Sequence, residues 1–147
     1  MAVMYYSKKI AVDADTGWAV VEKYTRAESH LFKAAAGARM ETVTEATPER
    51  PAGTYRVVTV KETGDEIYEL DVSVDNEHRR LSYTVPGLFG AIHHHASIQI
   101  NPIDDATSEI VYITDVLPDS FAEQFADFYE ANFHDLAEAV ERGRTAW

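Results

Sequence analysis

Three consecutive histidines, His93-His94-His95, form the most chemically loaded stretch of the chain. On a strand, alternate residues share a face, so His93 and His95 point one way and His94 the other. An H-x-H pair can give zinc two imidazole ligands, but a competent site needs at least a third. His30, His78 and His134 are scattered over other segments, so no metal site is expected. His94 alternates with Ile92, Ala96, Ile98 and Ile100, which places it on an apolar face. A neutral imidazole there, with an ordinary pKa of about 6.5, has the chemistry of a general base. Tyr68, Tyr83 and Tyr112 fall on the apolar faces of their own strands by the same alternation. Phenols so placed can orient a carbonyl or phenol oxygen of a ligand, or simply fill a core with their tips on backbone carbonyls. Glu69 and Asp71 lie two apart, about 6–7 Å along a strand. That spacing admits a paired-carboxylate site, but with Ser73 and Asp75 they read more simply as a solvated face.

The elements that must carry these residues follow from periodicity. A strand is expected over 3–12. A short helix follows over 18–24, with Asp15 or Thr16 as its cap. A second short helix is read over 28–36, closed by Gly37. Strands are then expected over 38–46, 54–62, 67–74, 80–85, 92–100 and 109–116, separated by short turns that favour an antiparallel meander. In 67–74, Tyr68, Leu70, Val72 and Val74 alternate with Glu69, Asp71 and Ser73, which predicts the tyrosine face inward. Residues 120–140 repeat aromatic and aliphatic side chains at helical steps. Ser120 and Glu123 match a capping box at the start. This helix carries Phe121, Phe125, Phe128, Tyr129 and Phe133. One helix must cover the whole sheet, so a hollow between the two is expected, with Phe125, Phe128 and Tyr129 at mid-helix touching whatever occupies it.

Composition narrows the function further. The 147 residues suit one domain, with 46% apolar and 26% charged residues. A formal net charge of −12 repels phosphate backbones, so nucleic acid is not an expected partner. No apolar run is long enough to span a bilayer, so no membrane insertion is expected. The absence of cysteine removes thiolate chemistry and disulfides, and with an N-terminus unlike a signal peptide it leads to an expected cytoplasmic location. No glycine-rich nucleotide fingerprint occurs, so no cofactor is expected.

Three local patterns, in order, give the chain a relative. These are Ile10-Ala-Val-Asp-Ala-Asp-Thr-Gly-Trp18; then Glu69-Leu70, Asp75 and Arg80-Leu-Ser-Tyr83; then Tyr112 before Leu117-Pro118 and the last helix. The arrangement resembles the START/Bet v 1-like (SRPBCC) helix-grip superfamily, in particular its bacterial polyketide-cyclase-like members. The resemblance spans nearly the whole chain. Members often carry a Trp after the second short helix; here His30-Leu-Phe-Lys-Ala-Ala-Ala36 has none, which leaves the shape of the entrance open.

What the resemblance implies is an α+β helix-grip domain, a seven-stranded antiparallel sheet curved around the C-terminal helix with two short helices after the first strand. It also implies an apolar cavity. Members of the superfamily bind lipids, sterols, polyketides or plant hormones, and some catalyse cyclisation or hydrolysis. The leading expectation is a binder of a small hydrophobic molecule, aromatic, polyketide-like or lipid-like. Its contacts would be Tyr68, Tyr83, His94, Tyr112, Phe125, Phe128 and Tyr129. The rivals are a cyclase- or hydrolase-like enzyme with His94 as base and Tyr83 or Tyr112 as proton partner, and an acidic module that docks a basic protein. A homodimer through sheet edges or the helix surface is left open.

Overall fold

In the computed structural model, residues 1–26 and 32–144 are described. Strand β1 (Ala2–Ile10) leads into helix α1 (Ala14–Val21) and a single 3₁₀ turn (Glu22–Thr25). Strands β2 (Ala35–Val43), β3 (Gly53–Val60), β4 (Glu66–Asp75), β5 (Arg80–Thr84), β6 (His93–Pro102) and β7 (Ser108–Leu117) follow. Helix α2 (Asp119–Glu141) closes the order. The seven strands form one sheet in the order β1-β7-β6-β5-β4-β3-β2. Every neighbouring pair is antiparallel. β2 to β7 are thus a meander, and β1 returns to pair with its last strand.

Local chemistry explains the helix ends. Asp13, rather than Asp15 or Thr16, caps α1: its carboxylate accepts from the Thr16 amide at 3.0 Å and from the Thr16 hydroxyl at 2.6 Å. Of the second helix read over 28–36, residues 28–31 lie outside the described residues. Its end is corrected, because Ala35, Ala36 and Gly37 run in β2. The Ser120–Glu123 capping box does not form either. Pro118 is the N-cap residue and no side chain caps α2. At its other end Gly143, at φ 68°, allows the Gly143 amide to donate to the Val140 carbonyl and the Arg144 amide to that of Ala139. Those two bonds are a Schellman closure.

Twenty-three residues make α2 about 34 Å long, enough to cross the sheet. Its C-terminal half is packed: Phe133, Leu136, Ala137, Ala139 and Val140 are all buried. Val140 meets α1 where Gly17 brings the two elements together. The first half is less filled. Phe121 and Tyr129 are buried, whereas Phe125 is half-buried and Phe128 is 40% exposed.

One irregularity in the sheet governs what faces inward. The β4–β5 register shifts between Asp71 and Ser73, a β-bulge at Val72. Before the bulge, Ile67, Glu69 and Asp71 face the concave side; after it, Val74 does, opposite Leu81. The expected alternation over 67–74 is therefore wrong in its first half. Tyr68 and Leu70 turn to the convex face, and the supposedly solvated Glu69 is buried.

Candidate functional site

A hollow of about 70 Å³ lies between the sheet and the first half of α2. Its floor is aliphatic: Val58 and Val60 from β3, Ile67 from β4 and Val85 after β5. Phe128, Tyr129 and Asn132 of α2 form the roof. Phe32, Ala34, Ala35 and Leu88 complete the lining, and the hollow opens to solvent. It shares Ile67, Val85 and Leu88 with an outer groove of about 500 Å³, where Tyr68, Arg50 and Phe89 stand. The polar groups on the inner wall are Glu69, Tyr83, His94 and Tyr112, with Tyr129 and Asn132 above them.

β6 points His94 inward, as its alternation with Ala96, Ile98 and Ile100 requires, and leaves it 4% exposed. Its ring is held at both nitrogens. The Val85 amide donates to Nδ1 at 3.3 Å, and Nε2 lies 2.9 Å from the Tyr129 phenol oxygen. The Thr84 hydroxyl donates to the His94 carbonyl and ties β5 to β6 at this point. Burial pushes the His94 pKa down to about 4, opposed in part by an interaction of the ring with its own backbone and helped to a smaller extent by His93 and His95. The imidazole is therefore neutral at ordinary pH. Burial likewise raises the Tyr129 pKa well above that of a free phenol.

Beside this pair, the Tyr83 and Tyr112 hydroxyls meet at 3.0 Å. Burial holds both in the phenol form, Tyr112 with a pKa of about 12. Behind them lies an ionic cluster. Arg56 and Glu69 stand opposite each other on β3 and β4, and the Arg56 Nε donates to Glu69 Oε2 at 2.9 Å. Tyr24 donates to Glu69 Oε1 at 2.9 Å, and the Arg56 guanidinium lies 4.0 Å above the Tyr24 ring. Asp71, on the same face of β4, has its pKa raised to about 6 by partial burial and then by the Glu69 charge, partly offset by Arg56.

Of the side chains expected at the site, Tyr83, His94, Tyr112, Phe128 and Tyr129 converge on the hollow. Tyr68 does not. Displaced by the bulge, it lies on the convex side, where Arg50 stacks on its ring at 3.6 Å and its hydroxyl donates to Glu66 at 3.2 Å. Phe125 also stays outside, stacked on Phe89 with centroids 5.1 Å apart. Ile92 precedes β6 and is 82% exposed, so it is not a face-mate of His94. Among the described residues no three His, Asp or Glu side chains are grouped to hold a metal ion. Glu69, Arg56 and Tyr24 were not among the expected site residues. The available signal was the lone Arg56 within Thr-Tyr-Arg-Val-Val-Thr-Val, since a cation in an apolar strand needs a buried anion beside it.

The model for the family "polyketide cyclase / dehydrase and lipid transport" matches residues 1–141. The chain belongs to this family. Its fold is accordingly the START/Bet v 1-like helix grip, with a long C-terminal helix on an antiparallel sheet. Among solved structures, a protein of Thermobifida fusca has 25% sequence identity and a TM-score of 0.71, over 97% of this chain and 95% of that one. Norcoclaurine synthase from Thalictrum flavum, in complex with dopamine and hydroxybenzaldehyde, has 20% identity and a TM-score of 0.67, over 96% and 84%. The Zhui aromatase/cyclase from Streptomyces sp. R1128 has 15% identity and a TM-score of 0.68, over 97% and 92%. At those two identities the likeness is one of fold. No curated protein matches the chain in sequence. Among the described residues, no helix of this family member is long and apolar enough to cross a membrane.

Proposed function

We propose that the domain binds a small, mostly apolar molecule in the hollow beneath α2. The observation that carries this reading is an open apolar space in an otherwise packed interior, with a few convergent polar groups on its wall. That combination is the general form of a small-molecule site. Family membership supports a ligand-binding or cyclase role. The space of about 70 Å³ is smaller than the several hundred Å³ that suit a drug-sized ligand. A larger guest would displace the half-exposed Phe128 or extend past Leu88 into the outer groove. Apolar burial would supply the affinity, at about 25 cal/mol per Å².

The geometry disfavours His94 as a general base. The nitrogen free of a proton, Nδ1, already accepts the Val85 amide. With a pKa of about 4, the ring is also a weak base. Binding without turnover at His94 is therefore the reading favoured here.

The neutral fluorophore N-phenyl-1-naphthylamine tests the site. Its emission should rise on binding to the wild-type protein. Val58→Phe, which fills the floor of the hollow, should abolish that rise while the urea midpoint stays within the range of a conservative core change. Unchanged binding by Val58→Phe would place the site elsewhere and defeat the proposal.

A further inference from the structure

We propose that His94 is a positioning residue that holds Tyr129 as a hydrogen-bond donor aimed into the hollow, so that the site prefers ligands bearing a carbonyl or similar oxygen acceptor over hydrocarbons of the same shape. This rests on the ligand-binding reading above and adds a polarity to it.

The argument is one of proton accounting. A neutral imidazole carries a single N–H. The Val85 amide donates to Nδ1, so Nδ1 presents its lone pair and the ring proton resides on Nε2. That proton faces the Tyr129 oxygen 2.9 Å away, and the phenol is the acceptor in this bond. Tyr129 cannot direct its own proton back along the same line. Among the described residues its hydroxyl makes no second protein hydrogen bond. The Tyr129 side chain borders the hollow, so its proton is left for an occupant.

The surroundings keep both protonation states fixed. The rings nearest His94 are Tyr83 and Tyr129, each with its centroid 6.3 Å away, and both are neutral phenols. His93 and His95 flank it in sequence and disfavour a charged ring. Tyr129 is held protonated by its burial. A guest with an oxygen acceptor at this point completes the chain Val85 N–H, His94, Tyr129, guest. A hydrocarbon leaves a buried hydroxyl without an acceptor, which is costly.

The test uses a pair of near-isosteric probes, acetophenone and α-methylstyrene, which differ by a carbonyl oxygen against a methylene. In wild-type protein, acetophenone is expected to bind about three- to tenfold more tightly, the value of one modest hydrogen bond. With ¹³C-labelled tyrosine, the Tyr129 Cζ resonance, assigned through Tyr129→Phe, should move with acetophenone and stay with α-methylstyrene. In ¹⁵N spectra without ligand, His94 should show a protonated Nε2 and an unprotonated Nδ1 at pH 7. A purely packing histidine would not require that tautomer. Equal affinities with an unmoved Cζ resonance would overturn the inference while leaving the hollow a binding site. A protonated Nδ1 would overturn it at its first step. If neither probe binds, the ligand-binding reading falls and this inference with it.

Discussion

Arg56 and Glu69 face each other across β3 and β4 with 2.9 Å between nitrogen and oxygen, both almost fully withdrawn from solvent. Glu69 also lines the hollow, and Tyr24 donates to its other carboxylate oxygen. Removing one member of a buried pair costs about 3–5 kcal/mol, because the remaining charge stays desolvated. Replacing both with apolar residues of similar volume is often close to neutral. Glu69→Leu is therefore expected to lower unfolding stability by about 3 kcal/mol, and Arg56→Met/Glu69→Leu to recover most of that loss. Urea unfolding of the wild type, both single variants and the double variant measures the coupling. Additive losses would show that the ion pair contributes no coupling.

His94 sets an acid limit on the fold. Its native pKa, about 4, lies below its ordinary value. Between pH 6.5 and 4 the unfolded chain therefore takes up a proton that the native protein does not. Stability from this group is complete above about pH 6.5 and is lost as pH falls toward 4, by about 3 kcal/mol at most. His94→Asn, whose Oδ1 can still accept the Val85 amide, should lack this part of the acid dependence. The stability gap between wild type and variant, measured by urea unfolding at pH 7 and pH 4, should shift by that amount.

Asp71 works in the opposite sense. Its native pKa, raised to about 6, means that ionising it inside the protein is unfavourable. The penalty is absent below about pH 4 and complete above about pH 6. Asp71→Asn should therefore stabilise the protein at pH 7.5 by about 1–2 kcal/mol, allowing for the partial exposure of the carboxyl. At pH 4 it should change little. A stabilisation equal at both pH values would assign the effect to packing.

Two glycines should respond with opposite signs. A Cβ on Gly17 would meet Val140, Val12 and Ile100 at 3.4–3.6 Å, ordinary contact, so Gly17→Ala should gain about 0.5–1 kcal/mol from helix propensity. Gly53 is at φ 154°, and a Cβ there would stand 2.6 Å from Leu70 Cδ1. Gly53→Ala should cost about 1–3 kcal/mol. Thermal unfolding of the two variants decides both.

The sequence made the regular strands readable and failed where regularity broke. In β6 and β7 an unbroken register places His94 and Tyr112 inward, as two-residue alternation requires. The same rule misplaced Tyr68, because one extra residue at Val72 reverses the phase and periodicity cannot reveal a bulge. The same alternation assigns Glu69 to a solvated face. Its burial depends on Arg56 being the residue opposite, a pairing fixed by register rather than by composition. The ends of α2 show the same limit: Ser120 and Glu123 have the spacing of a capping box, but the N-cap is Pro118, two residues earlier. The Tyr129–His94 bond joins α2 to β6 across 35 positions of sequence, and local patterns hold no record of it.

Tyr83 and Tyr112 are joined by one hydrogen bond, their oxygens 3.0 Å apart, and either can be the donor. Reversing that direction takes only rotation about two C–O bonds, with every heavy atom in place. If the proposed site holds a ligand, the back wall would answer a visitor that gives a proton or one that needs it, while the roof at Tyr129 would offer a fixed polarity. Recognition in this chamber would then be strict at one pole and permissive at the other, a division suited to a series of congeners that share one oxygen and differ in the rest of their decoration.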